Sequence, residues 1–141
     1  MKNYTYVGYG RKIGKNKLER PFHINRGLSI VIPTYNEEAN IESIVSAVKE
    51  NLKKIRFEKD YEIIVVDDNS KDNTSKMIDR LAKKGNFIAM HRYGKKGIFS
   101  AVHEGVLMSN GKYVLTMDAD FSHPPKLIPK FAELAGKYDI I

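Results

Sequence analysis

The chain has 141 residues, 42% of them hydrophobic and 29% charged, a balance suited to one soluble globular core, with no internal repeat or low-complexity tract. It contains no cysteine, which excludes disulfides and cysteine-based zinc or redox sites, and no apolar run approaches the ~20 residues that span a bilayer. Most of the net charge of +7 falls in residues 1–27, where seven lysines and arginines face Glu19 alone, so residues 28–141 are nearly neutral.

The N-terminus lacks the apolar core of a signal peptide, so the sequence predicts a cytoplasmic protein. Residues 1–27 read as a basic arm without apolar periodicity, set apart from a domain at 28–141. A solvated, partly disordered leader is the plainest reading of that arm. Peripheral contact with acidic lipid head groups is the next, at about 1 kcal/mol per basic residue near the surface. Tyr4, Tyr6 and Tyr9 could stack on bases, but no nucleic-acid partner is expected. Gly8, Gly10 and Gly14 have the wrong spacing for a dinucleotide fingerprint.

From Leu28 onward, strands and helices alternate. Leu28–Ile32 is a short β-branched run, a buried strand that Pro33 ends. Ile41, Ile44, Val45, Val48 and Leu52 then recur at helical spacing, with Glu37, Glu38 and Glu42 near the start and Lys49, Lys53 and Lys54 near the end, opposing the helix dipole. Tyr61–Val66 is a second strand, ended by Asp67-Asp68-Asn69-Ser70. Asp72-Asn73-Thr74 caps a second helix that runs towards Gly85. A third strand covers Phe87–Met90, a third helix Ile98–Ser109, and a fourth strand Tyr113–Met117. Asp118-Ala119-Asp120 follows directly. Pro124-Pro125 opens a last helix that ends near Gly136, and Tyr138–Ile141 reads as a fifth strand.

Such alternation predicts an α/β fold, a parallel sheet with helices on both faces. These sheets bind ligands outside the carboxyl ends of their strands. Three polar clusters fall there: Pro33–Glu37, Asp67–Ser70 and Asp118–Ser122. Asp118 and Asp120, separated by one small residue, can share Mg²⁺ or Mn²⁺ with substrate phosphates. Of Asp67 and Asp68, one carboxylate can accept from the N–H groups of a nucleobase while the other caps the loop, and Asp68 is favoured for the base. Tyr35 offers a ring to a base or ribose, and Glu37 can accept from ribose hydroxyls. His123 is expected to line the pocket or cap the following helix. Lys95-Lys96-Gly97 is either a phosphate contact or a solvated turn. The four histidines lack zinc-ligand spacing.

These clusters, in this order, resemble the family-2 glycosyltransferases, whose catalytic domain has the GT-A fold. The matching stretches are Ile32–Glu37, Val65–Ser70 with Asp72 and Thr74, and Met117–Asp120. Asp118–Pro125 is most similar to the dolichol-phosphate mannose synthases. The resemblance implies a nucleotide-sugar donor, GDP-mannose first and a UDP-sugar as alternative, and a polyprenyl-phosphate acceptor at the cytoplasmic membrane face. It also implies that Pro33, Tyr35, Glu37, Val66 and Asp68 hold the nucleoside. Asp118, Ala119 and Asp120 would meet the diphosphate and metal, and Ser122 stands where the family often has a side-chain oxygen for the metal. Phe99 replaces a small residue of the family's turn and is expected either to crowd the donor pocket or to reshape that turn. The family continues beyond a fifth strand, so a domain truncated at the C-terminus is expected. An inactive donor-binding module is the non-enzyme alternative, with a partner subunit or self-association covering an unfinished sheet.

Overall fold

The computed structural model describes residues 4–8, 11–15 (backbone), 26–55, 57, 60–94 and 97–141. The described elements run β1 (Tyr4–Gly8), β2 (Arg11–Lys15), β3 (Arg26–Thr34), α1 (Ile41–Leu52), β4 (Tyr61–Asp67), α2 (Thr74–Leu81), β5 (Phe87–Arg92), α3 (Ile98–Met108), β6 (Gly111–Thr116), a 3₁₀ turn at Pro125–Leu127 and α4 (Ile128–Leu134). The strands form one sheet in the order β2-β1-β5-β4-β3-β6. β5, β4, β3 and β6 are parallel, whereas β1 pairs antiparallel with both β2 and β5.

The topology places the site. From β3 the chain steps outward through α1, β4 and α2 to β5, then returns past β3 to β6 through α3. Right-handed crossovers put helices on opposite faces when the direction of travel reverses. Accordingly, the core on one face joins Ile41, Ile44, Val45, Val48 and Leu52 of α1 to Ile78 of α2 and Ile128 of the last helix. The other face is covered by α3, through Ala101 and Met108 against Val31, Ile64, Val66, Ile88 and Met90. The reversal lies between β3 and β6, where the diverging connections open a crevice at the strands' carboxyl ends.

Gly105 sets how closely α3 approaches. A Cβ there would lie 2.4 Å from Val31 Cγ1 and 3.0 Å from Val66 Cγ2, so only glycine lets the helix rest on β3 and β4.

Several expectations change. Residues 4–8 and 11–15 are strands of the same sheet, not a leader apart from it. Tyr6 is fully buried and unavailable for stacking on bases, while Tyr9 and the remainder of the arm, residues 1–3, 10 and 16–25, lie outside the described residues. Tyr6 and Val7 are the core anchors of β1, too few for periodicity to announce a strand. β2 is the outermost strand on that side of the sheet.

β3 also runs through Pro33 to Thr34. Pairing with β6 stops at Val31↔Thr116, so at Pro33 only β4 remains beside it and one missing N–H is tolerated. Tyr138–Ile141 is not a strand; a single bridge joins Ala135 and Tyr138, and the last residues are exposed. Among the described residues the outer edge of β6 therefore carries no paired strand. Among the described residues, no helix is long and apolar enough to cross a membrane.

Candidate nucleotide-binding site

The three polar clusters converge on one cavity of about 440 Å³, lined by Pro33, Thr34, Tyr35, Glu37, Asp68, Gly97, Ile98, Ala101, Asp118, Ala119 and Asp120. It occupies the crevice between β3 and β6. Each of the three loops turns on one non-glycine residue in the left-handed region: Asn36 (φ 55°), Asn69 (φ 57°) and Phe121 (φ 65°). Asparagine accepts that conformation readily, whereas for a bulky residue such as Phe121 it is strained.

The loops after β3 and β4 are stitched together before any ligand arrives. The Asn36 N–H donates to Ser70 Oγ at 2.9 Å, and the Lys71 N–H donates back to Asn36 Oδ1 at 2.8 Å. Glu37 and Glu38 donate backbone N–H groups to Thr74 Oγ1 and Asp72 Oδ2, at 2.9 and 3.1 Å. Asp72 also accepts from the Thr74 N–H at 2.9 Å, the capping contact expected of it. Tyr35, 47% exposed, is thereby presented at the cavity on a cross-linked turn. The Glu37 carboxylate accepts from Asn40 Nδ2 at 2.9 Å. Thr34 lines the cavity, and its buried Oγ1 has no hydrogen-bond partner among the described residues.

The adjacent carboxylates of β4 divide their work. Asp67 turns inward and accepts from Ser70 (N–H 3.2 Å, Oγ 2.5 Å), from Ser75 Oγ at 2.5 Å and from His91 Nδ1 at 3.1 Å. Burial pushes its carboxyl up, but the hydrogen bonds from His91, Ser70 and Ser75 outweigh burial and hold it below the ordinary value. Asp68 faces the cavity. Its Oδ1 accepts from Arg92 Nε at 2.5 Å and its Oδ2 from the Gly97 N–H at 2.9 Å. Gly97 precedes α3 with φ 125°, a conformation that suits glycine. Each carboxylate oxygen has two lone pairs, so Asp68 keeps acceptor capacity for a ligand.

His91 Nε2 meets Asp79 Oδ1 at 2.8 Å, so one buried imidazole bridges two carboxylates. Burial lowers its pKa, but the hydrogen bonds and charges of Asp67 and Asp79 prevail and raise it to about 9. The folded value lies above the unfolded ~6.5. The bridge therefore contributes fully below about pH 6.5, and its contribution fades as pH rises through 9. A shift of this size corresponds to about 3 kcal/mol. The melting temperature should fall by roughly 10 °C between pH 6.5 and 9.5, and His91→Gln should flatten that slope. A wild-type profile as flat as the variant's would show that the bridge is uncharged.

Asp118 and Asp120 lie on the loop after β6. The Ser122 N–H donates to Asp120 Oδ1 at 2.9 Å, and Ser122 Oγ donates to Asp118 Oδ2 at 3.2 Å. The Ser122 contacts hold the Asp120 carboxyl below its ordinary value, so it is ionised at neutral pH. The Asp118 N–H donates to His123 Nδ1 at 3.1 Å, which fixes the turn. His123 thus supports the loop and lies outside the cavity lining.

Val66 and Phe99 also stand apart from the cavity. The Val66 side chain is fully buried under α3. Phe99 is 86% exposed and does not crowd the pocket; its neighbour Ile98 lines it instead. Lys95 and Lys96 lie outside the described residues. Gly97, weighed with Lys95 and Lys96 as a phosphate contact, lines the cavity; Ile98 and Ala101 of the lining, and Arg92 behind Asp68, were not expected. A glycine before a predicted helix was the one available signal, since Arg92 at the end of an apolar strand reads as an exposed terminus.

Among the described residues, no group of three or more His, Asp or Glu side chains converges as a metal cage. Two ionisable carboxylates at the mouth of a cavity fit a divalent cation whose other ligands come from bound phosphates.

Comparison with known proteins agrees with this arrangement. Residues 29–141 match the family described as Glycosyl transferase family 2. The chain is 40% identical over 106 residues to a dolichol-phosphate mannosyltransferase of Pyrococcus furiosus, covering 75% of this chain and 29% of that protein. It is 35% identical over 117 residues to an undecaprenyl-phosphate 4-deoxy-4-formamido-L-arabinose transferase of Proteus mirabilis, covering 81% of this chain and 35% of that one. The chain therefore spans about a third of the length of these relatives. The fold is shared with the mannosyltransferase PcManGT of Pyrobaculum calidifontis, solved with GDP-Man and Mn²⁺: TM-score 0.63, 24% identity, 79% of this chain and 33% of that one.

Proposed function

Because the chain belongs to glycosyl transferase family 2, we propose that its cavity binds a nucleotide-diphosphate sugar and that the protein serves transfer of the sugar to a polyprenyl phosphate. The observation that carries this reading is the convergence of Tyr35, Glu37, Asp68, Asp118 and Asp120 on one crevice. Tyr35 packs on the nucleobase, Asp68 accepts from its N–H groups, and Glu37 accepts from the ribose. Asp118 and Asp120, with Ser122 beside them, hold Mg²⁺ or Mn²⁺. The cation supplies positive charge against the diphosphate as it departs.

Both relatives are named for a polyprenyl-phosphate acceptor, and they differ in the sugar. The acceptor class is therefore the firmer part, and GDP-mannose is the donor favoured by the higher identity. A phosphate monoester is largely anionic at neutral pH, so its oxygen can attack the anomeric carbon without a protein base. The new C–O bond forms as the bond to the diphosphate breaks, with inversion, and the electron pair leaves on the nucleoside diphosphate. A polyprenyl-phosphate acceptor would bring the protein to a membrane surface, and the cytoplasmic face is the side this reading takes. The β6 edge is then covered by further polypeptide or by a partner.

Calorimetric titration with GDP-mannose and UDP-glucose, each with Mn²⁺ and with chelator, tests this. With metal, GDP-mannose should bind at least about tenfold more tightly than UDP-glucose, a 1.4 kcal/mol difference, and chelator should weaken it strongly. Preference for UDP-glucose would overturn the mannose assignment. Failure of folded protein to bind either would overturn the donor site.

A further inference from the structure

The β1–β2 hairpin lies outside the family match, which begins at residue 29, and adds no residue to the cavity lining. It is nevertheless wired to the cavity. In the register of β1 and β5, Tyr4 stands opposite Arg92. Tyr4 packs against the buried cluster that holds Ala101 and Met108 of α3, and burial first, then the charge of Glu104, raises the pKa of its hydroxyl. Glu104 Oε2 lies 3.0 Å from Arg92 Nη1, and Arg92 Nε reaches Asp68 Oδ1 at 2.5 Å. The other guanidinium donors are occupied by Ser100 Oγ at 3.1 Å and the Gly97 carbonyl at 3.4 Å. Arg92 is 1% exposed, so this is a dry, fully engaged fork.

We propose that Tyr4, Glu104 and Arg92 form a clamp that positions Asp68, making the N-terminal hairpin a working part of the nucleotide site. The inference rests on the reading of Asp68 as the carboxylate that recognises the base. Arg92 can approach Asp68 in several ways, because a guanidinium offers five donors. Glu104 removes that freedom by engaging Nη1 from the far side, and Tyr4 in turn fixes Glu104. A network that served stability alone would have no reason to end on the one β4 carboxylate that faces the cavity. Asp67, its inward neighbour, belongs to a separate set of partners. Tyr4, Glu104 and Arg92 are positioning residues; none touches the ligand.

The test uses Tyr4→Phe and Glu104→Gln, with Val7→Ala as a hairpin control outside the network and Asp68→Asn as reference. In the ligand-free protein, the carboxyl ¹³C resonance of Asp68 is assigned by its loss in Asp68→Asn. It should move in Tyr4→Phe and Glu104→Gln and stay in place in Val7→Ala. In calorimetry with Mn²⁺, the first two variants should bind GDP about 5- to 10-fold more weakly while binding pyrophosphate as wild type does. A resonance unmoved in both variants overturns the clamp. So does a GDP affinity that falls in Asp68→Asn and not in Tyr4→Phe or Glu104→Gln. If the resonance moves as expected but Asp68→Asn binds GDP normally, the clamp stands and the base-recognition reading of Asp68 fails.

Discussion

Replacing Arg92 by methionine is expected to cost about 3–5 kcal/mol of folding stability, the loss typical when one member of a buried ion pair is removed. The guanidinium is the counter-charge for both Asp68 and Glu104, whose side chains are 8% and 7% exposed. Methionine fills much of the volume and supplies none of the five donors, so both carboxylates would lose their counter-charge, Asp68 keeping only the Gly97 N–H. Against a typical total of about 5–15 kcal/mol, such a loss leaves a marginal protein. Urea denaturation of both proteins at pH 7 measures it. A cost below about 1 kcal/mol at pH 7 would mean that water reaches the network and screens it.

Asp118→Asn and Asp120→Asn should behave oppositely, sparing the fold and removing the ligand. Both residues lie on a loop, and Asp120 is exposed, so stability should change by no more than about 1 kcal/mol. Asparagine keeps the shape and one oxygen but loses the charge that a hard cation selects. With only two carboxylates on the loop, losing either halves the protein's anionic share of the site. The affinity for GDP in Mn²⁺ should fall by about 100-fold or more, above the upper range for loss of a second-shell group. Weak binding in chelator should be unchanged. The same calorimetry checks both arms. Wild-type affinity in either variant would remove that aspartate from the metal site.

Much of this site was legible in the sequence because the relevant signals are local. A β-branched run followed directly by polar residues marks the carboxyl end of a buried parallel strand, and Pro33–Glu37, Asp67–Ser70 and Asp118–Ser122 each followed one. The helix spacing of Ile41, Ile44, Val45, Val48 and Leu52 predicted α1, and all five are buried. What escaped was non-local. Arg92 becomes a buried clamp only because β1 lies beside β5 and α3 is seated through Gly105, contacts between residues far apart in the chain. Tyr4 and Tyr6 were read as candidates for base stacking because a five-residue strand with two core anchors carries no usable period. Crowding of the pocket by Phe99 was one of two expectations drawn from the family's small-residue turn, but the start of α3 puts Ile98 in the lining and Phe99 outside.

The claim at the centre of this account is that three loops from the ends of β3, β4 and β6 form one metal-dependent nucleotide site. Paramagnetic broadening of backbone amide resonances by substoichiometric Mn²⁺ in the presence of GDP tests it most directly. The account predicts selective loss of signal at Tyr35, Glu37, Gly97, Ala119 and Asp120. Asn86 and Asn110, at the opposite ends of the strands, should remain sharp. Broadening centred elsewhere, or none at all in a folded protein that binds GDP, would contradict it.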